Sequence, residues 1–212
     1  MLPPKLPMPL REETLEDQVS LALNEGIDIE GCHFYGEDVP DLAGETLEFS
    51  GCHFEKCAFH SRQPQRLIFV DCVLEKCDVS GMRFEKSTFQ RVSFRQCRMT
   101  GAQFAQSPLM NTRFEGCLLD LSGFSEIKAQ HVLFSECVMK ECSIFAFKWQ
   151  DWTLRSCVLK NAEIHETSLQ GLNVTSCDIA GITVELPAVR GMIVTQEQAV
   201  GLSALLGLTI QG

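Results

Sequence analysis

All eleven cysteines of this chain stand at positions that leave remainder 2 on division by five. They are Cys32, Cys52, Cys57, Cys72, Cys77, Cys97, Cys117, Cys137, Cys142, Cys157 and Cys177. Seven of them, from Cys57 to Cys177, follow one another at intervals of twenty. A second column runs two residues later, at remainder 4. It has 34 positions from Ile29 to Val194, and 32 are apolar, the exceptions being Gly44 and Pro64. Twelve of the fourteen phenylalanines sit in it, among them Phe34, Phe54, Phe94, Phe114 and Phe134, with Leu74 in the same phase. The phase never slips, so no insertion of one to four residues interrupts the pattern.

A period of five fits neither a helix (3.6) nor an ordinary strand (2.0). It fits a square coil with one corner every five residues. At each corner a large apolar residue is expected to point inward, with a smaller inward residue two positions earlier. Four corners make a turn of twenty, and turns stack at roughly 4.8 Å. Residues 29–194 then give about eight turns and a rod on the order of 40 Å long. Each turn covers the apolar face of its neighbour, so stability is close to a sum of nearest-neighbour terms.

Units such as Cys72-Val73-Leu74-Glu75-Lys76, Cys97-Arg98-Met99-Thr100-Gly101 and Ala102-Gln103-Phe104-Ala105-Gln106 resemble the small-polar-Leu/Phe-polar-polar repeat of the pentapeptide-repeat family. The resemblance covers about four-fifths of the chain. It implies an all-β solenoid, specifically a right-handed quadrilateral β-helix; the handedness comes from the family and not from the spacing.

No apolar stretch approaches 20 residues, so no membrane span is expected. The start, Met-Leu-Pro-Pro-Lys-Leu-Pro, lacks the apolar core of a signal segment, which points to a cytoplasmic protein. Eleven cysteines would suggest disulfides in a secreted chain. Here they share a column with Ala102, Ser107, Thr112, Ala162 and Thr167, which makes them small buried hydrophobes of a reducing compartment. The pairs Cys32-His33 and Cys52-His53 resemble metal ligands. Adjacent residues in this coil point to opposite sides, however, so one site cannot easily use both. No metal and no cofactor is expected.

Three segments follow: an extension and capping helix over 1–26, the coil over 27–194, and a C-terminal helix and short strand over 195–212. Leu15, Val19, Ala22 and Leu23 form a helical stripe, Pro9 suits the first turn and Gly26 a stop, so a helix over about 10–25 should cover the first coil. A partner-binding arm is the alternative. At the other end, Thr195 and Gln198 form a capping box, and a helix over about 196–206 should stop at Gly207. Ala199, Leu202, Leu205, Leu206, Leu208 and Ile210 give it more apolar surface than one coil end covers, and a two-fold partner supplies the remaining cover. The run from Arg190 to Gly207, with Arg190-Gly191, Gln198-Ala199, Leu202 and Leu206-Gly207, is similar to the C-terminal module of the Qnr-type quinolone-resistance group. The Thr195–Ala199 run is similar to the ends of the microcin- and albicidin-immunity group. That resemblance implies a head-to-head homodimer through these helices.

The net charge of −10 is uneven. Residues 11–48 hold twelve carboxylates against Arg11 alone, whereas residues 49–212 hold sixteen acids and sixteen bases. Within the latter, Arg83, Lys86, Arg91, Arg95, Arg98 and Arg113 stand against Glu85. That basic stretch is short and divided among faces, so direct nucleic-acid binding is not expected. An acidic rod can compete for a cationic groove, and Glu37, Asp38, Asp41, Glu45 and Glu48 are the candidate contacts; the alternative is that these acids only keep the protein soluble. A strained corner at residues 60–66 adds Arg62 and Pro64. Phe145 in an outward phase, and Trp152 where a small residue belongs, add an aromatic candidate; a locally widened coil is the alternative.

The chain carries no Gly-x-Ser-x-Gly, phosphate loop, His-Glu-x-x-His or Cys-x-x-Cys. A solenoid filled by its own columns also lacks an interior site, so no enzyme activity is expected. The resemblance implies a DNA-mimicking rod that binds DNA gyrase, and topoisomerase IV as a second target, and protects it from a quinolone, albicidin or microcin-type poison. The alternative is a non-catalytic scaffolding rod with an unrelated protein partner.

Overall fold

The computed structural model describes residues 1–59 and 64–208. The chain forms a four-sided parallel β-solenoid of about eight coils, closed by a helix at each end. From Ile29 onward the parallel pairs are offset by twenty. One side stacks Phe34, Phe54, Leu74, Phe94, Phe114, Phe134 and Leu154. The next stacks Ile29, Phe49, Phe69, Phe89, Leu109, Ala129 and Trp149. These two sides form one continuous sheet, because the long strands Leu109–Glu115, Lys128–Ser135 and Lys148–Arg155 turn a corner without breaking. A third side pairs Phe104, Phe124, Ile144, Ile164 and Val184. The fourth is held mostly by single bridges from Ala58 through Asp78, Arg98, Leu118, Val138 and Val158 to Asp178.

The interior is the pair of columns read from the sequence. Rings in one column lie flat on each other: Phe94 on Phe114 at 4.9 Å and Phe114 on Phe134 at 4.5 Å, both at 4°. Rings of neighbouring columns meet edge to face, as in Phe104–Phe114 at 87° and Phe124–Phe134 at 89°. Both geometries match the ring quadrupole. All eleven cysteines are free and buried. Their thiols are more than filler. Cys77 Sγ donates to the Phe54 carbonyl at 3.4 Å and Cys137 Sγ to that of Phe114 at 3.3 Å. Thr112 Oγ1 donates in the same way to Phe89, at 3.4 Å. At these positions the small residue supplies a donor short enough to reach the carbonyl of the coil below, while Ala102, Ala162, Val92 and Val132 fill the same column without one.

The corners differ from expectation. The large apolar residue sits mid-side, as Phe94 does within Ser93–Arg95. The corner is the residue just before the small column, at remainder 1. Among the described residues, eighteen non-glycine residues with positive φ occupy this position, from Lys56 to Glu166. This is the backbone that the third position of a type II turn requires.

Helix α1 (Leu15–Glu25) starts later than expected. Thr14 caps it, accepting the Asp17 N–H at 3.3 Å, and Gly26 ends it with φ 65°. Residues Arg11–Glu12 instead form a strand on Cys32–His33, since the open first coil presents backbone groups that need partners. Leu15, Val19 and Ala22 are buried, but Leu23 faces outward. Helix α2 (Gln196–Leu202) has the expected capping box and runs into a 3-10 turn, Ser203–Leu206, before Gly207.

The coil opens at one place. Phe147, Trp149 and Trp152 fill one turn, and among the described residues no strand pairing joins Lys148–Arg155 to the coil that follows. The Trp149 indole N–H takes the Ser168 carbonyl at 2.7 Å, and the Ser156 N–H goes to Ser176 Oγ at 3.2 Å. Side chains thus replace the backbone ladder. Trp149, Trp152, Asp151 and Asn173 border the resulting cleft of about 410 Å³.

Candidate partner-binding surfaces

At the acidic end, the five candidate carboxylates divide by role. Glu37 is half-buried, and its Oε2 accepts the Leu15 N–H at 2.6 Å, so it serves the N-terminus of α1. Asp41 is exposed and accepts the Ala43 N–H at 3.1 Å. Asp38 and Glu45 are also exposed. Glu48 is partly covered, and its carboxyl is held above the ordinary value by burial and then by the like charges of Asp28 and Glu30. Arg66 opposes this rise without cancelling it, so the charge around Glu48 stays predominantly negative.

The middle of the rod neutralises itself. Arg98 lies 3.5 Å from Asp78, Arg95 3.6 Å from Glu115, and Arg83 4.0 Å from Glu85. The basic stretch is spread over several sides, as its spacing predicts. Arg62 lies outside the described residues. Pro64 is buried and bridges antiparallel to Ala43, the one antiparallel contact among the described pairings. Of the aromatic candidates, Phe145 is exposed on the outer surface, whereas Trp152 is buried, and its indole N–H has no hydrogen-bond partner among the described residues.

At the C-terminal end, Leu202 and Leu205 turn half-buried onto the last coil. Leu206 and Leu208 remain exposed, as do Ala199 and Val200. Ile210 lies outside the described residues. Sequence reasoning missed the clamp that sets this helix. Gln198 Nε2 donates to the Val174 and Cys177 carbonyls, both at 2.8 Å, while its Oε1 takes the Thr195 N–H at 2.9 Å. One side chain thus closes the capping box and staples α2 to the coil.

The Cys-His pairs separate as expected. Cys32 and Cys52 point in, while His33 and His53 stack outside at 5.0 Å. His33 Nδ1 meets Glu12 at 2.9 Å, and burial followed by the neighbouring His33 lowers the His53 pKa. Among the described residues no group of three potential ligands converges. Burial pushes the Cys142 thiol up to about 12, and that of Cys32 to about 11, so neither is a ready nucleophile. No helix is long and apolar enough to cross a membrane.

A further surface was invisible in the sequence. Residues 1–7 run back along one corner of the coil. Pro7 packs on Gly31 and Gly51, the Lys5 N–H reaches Asp71 Oδ1 at 2.9 Å, and the Leu2 N–H reaches Asn111 Oδ1 at 2.8 Å. Arg91 grips Asp71 through two contacts of 2.6 Å. Burial opposes ionisation of Asp71, but Arg91 and the Lys5 N–H outweigh it and hold the carboxyl below the ordinary range.

A family model for the pentapeptide repeat region matches residues 47–124. No curated protein matches the chain. Among solved structures, a trypsin-treated variant of QnrB1, a plasmid-mediated fluoroquinolone resistance protein, is 22% identical over 88% of this chain and 91% of that one, with a TM-score of 0.37. HetL, a pentapeptide repeat protein involved in heterocyst differentiation regulation from the cyanobacterium Nostoc sp. strain PCC 7120, is 11% identical over 85% and 97%, with a TM-score of 0.39. The pentapeptide repeat protein Rfr23 from the cyanobacterium Cyanothece 51142 is 13% identical over 85% and 99%, with a TM-score of 0.19.

Proposed function

We propose that this pentapeptide-repeat protein is a dimeric, non-catalytic rod that binds DNA gyrase, with topoisomerase IV as a second target, and protects it from a poison that traps cleaved DNA. The observation that carries the reading is the C-terminal module. Its sequence is similar to that of the Qnr-type and immunity groups. Its helix is clamped to the last coil while Leu206 and Leu208 face outward, as a two-fold contact requires. The uncompensated acids of the first coils support a cationic docking surface on the partner. Joined at the C-terminal ends, two rods would carry these acids at their far tips. The neutral middle argues for contact by the tips and corners rather than for imitation of DNA along the whole length.

A supercoiling assay tests the reading. Added protein should restore gyrase activity in the presence of a quinolone, albicidin or a microcin. If it neither rescues nor inhibits the enzyme with any of the three, the reading fails. A pull-down that recovers a different protein would then favour a scaffolding rod.

A further inference from the structure

The N-terminal segment lies on the coil as a ligand lies in a site. Most of its contacts are to one corner column, which advances one coil per twenty residues: Gly31, Gly51, Asp71 and Asn111. Arg91 of the same column holds Asp71, and beside it Arg113 Nε donates to Met1 Sδ. The fit is metrical. The two acceptors, Asp71 and Asn111, are two coils apart, or about 9.6 Å at the strand spacing. The N–H groups they accept belong to Lys5 and Leu2, three residues apart, and a polyproline II segment rises about 9.3 Å over three residues. Pro3 and Pro4 lie between those donors, where a missing N–H costs nothing. Pro7 then crosses Gly51, where a Cβ would come within 2.8 Å of its ring.

Three features make this corner a built site and not a casual contact. The acceptor at its centre is fixed by the Arg91 fork. The floor beneath Pro7 is stripped to glycine. Recognition falls on backbone N–H groups and a proline ring, so most side chains of the segment are free to vary.

We propose that the corner from Gly31 to Asn111 is a peptide-binding rail for polyproline II segments. Residues 1–7 are its resident ligand, exchangeable for an extended, proline-bearing segment of another polypeptide that offers an N–H every third residue. In the intact chain the tethered segment competes at an effective concentration of the order of millimolar, so an outside peptide enters only when the resident one is weakened. The proposal does not depend on the identity of the rod's main partner.

The test uses the full chain carrying Leu2→Pro and Lys5→Pro. These changes remove both N–H donors and keep the segment extended and the rail intact. A fluorescent peptide with the natural sequence of residues 1–9 is the probe, read by anisotropy. It should bind the double variant saturably. Binding to the unaltered chain should be far weaker, and adding Asn111→Ala to the double variant should weaken it about five- to tenfold, the worth of one hydrogen bond. A peptide carrying Lys5→Pro should bind no better than to the Asn111→Ala chain. Absence of binding to the double variant, with its coil signal intact by circular dichroism, overturns the proposal. So does equal binding to all three chains. If the double variant does not fold, the single Lys5→Pro chain is read in the same way.

Discussion

Among the described residues, eighteen that are not glycine hold φ between 49° and 63° at the corners of the coil. The left-handed region costs an ordinary L-residue roughly 1 kcal/mol or more, because Cβ crowds the carbonyl oxygen. None of the eighteen is Val, Ile or Thr, the residues for which the cost is greatest. This absence is the sequence signal of the corner, and it is faint because many residue types other than the β-branched ones tolerate the conformation. Gly101 isolates the effect: its φ is 71°, and nothing lies within 4 Å of where a Cβ would stand. Gly101→Ala should therefore lower stability by about 1 kcal/mol through backbone conformation alone. Urea unfolding should show a shifted midpoint at constant slope, and no change in midpoint would remove the corner from the energetics.

Among the elements, α2 shows what patterning can and cannot convey. Its capping box and its stop at Gly207 were legible as local signals. The inward turn of Leu202 and Leu205 was not, because Gln198 decides it by reaching carbonyls 21 and 24 residues away. The exposed apolar residues are thus Val200, Leu206 and Leu208 rather than the whole apolar set. Val200→Glu with Leu206→Glu should give monomers in sedimentation while circular dichroism stays unchanged, since charges desolvated at a two-fold contact face their own copies. A persisting dimer would place the interface elsewhere. The Trp149–Trp152 turn carries the same lesson. Its bulk was legible as an exception in the small column, but the replacement of backbone pairing by an indole and a serine hydroxyl was not.

For the whole molecule, charge is arranged by position along the rod. The coil places Asp28, Glu30 and Glu48 on neighbouring turns, so their repulsion adds at one end, while acid–base pairs cancel along the middle. Asp28→Lys with Glu48→Lys should slow association with a cationic partner about tenfold and flatten its salt dependence, leaving dissociation little changed. Stopped-flow binding to gyrase at two ionic strengths checks this, and an unchanged rate would reduce the acids to a solubilising role.

The square coil, its register and its core follow from the repeat alone. A strict period of five lets each side bury one large and one small residue only in a coil of twenty, and every coil repeats the demand. The path of residues 1–7, the clamp at Gln198 and the opened ladder beside Trp149 were decided only in the tertiary structure. Most join residues whose separation follows no period, such as Lys5 to Asp71, Leu2 to Asn111 and Gln198 to Val174. They depend on which groups the finished coil brings within hydrogen-bond reach, and a repeat specifies its neighbours but not what lies across its corners.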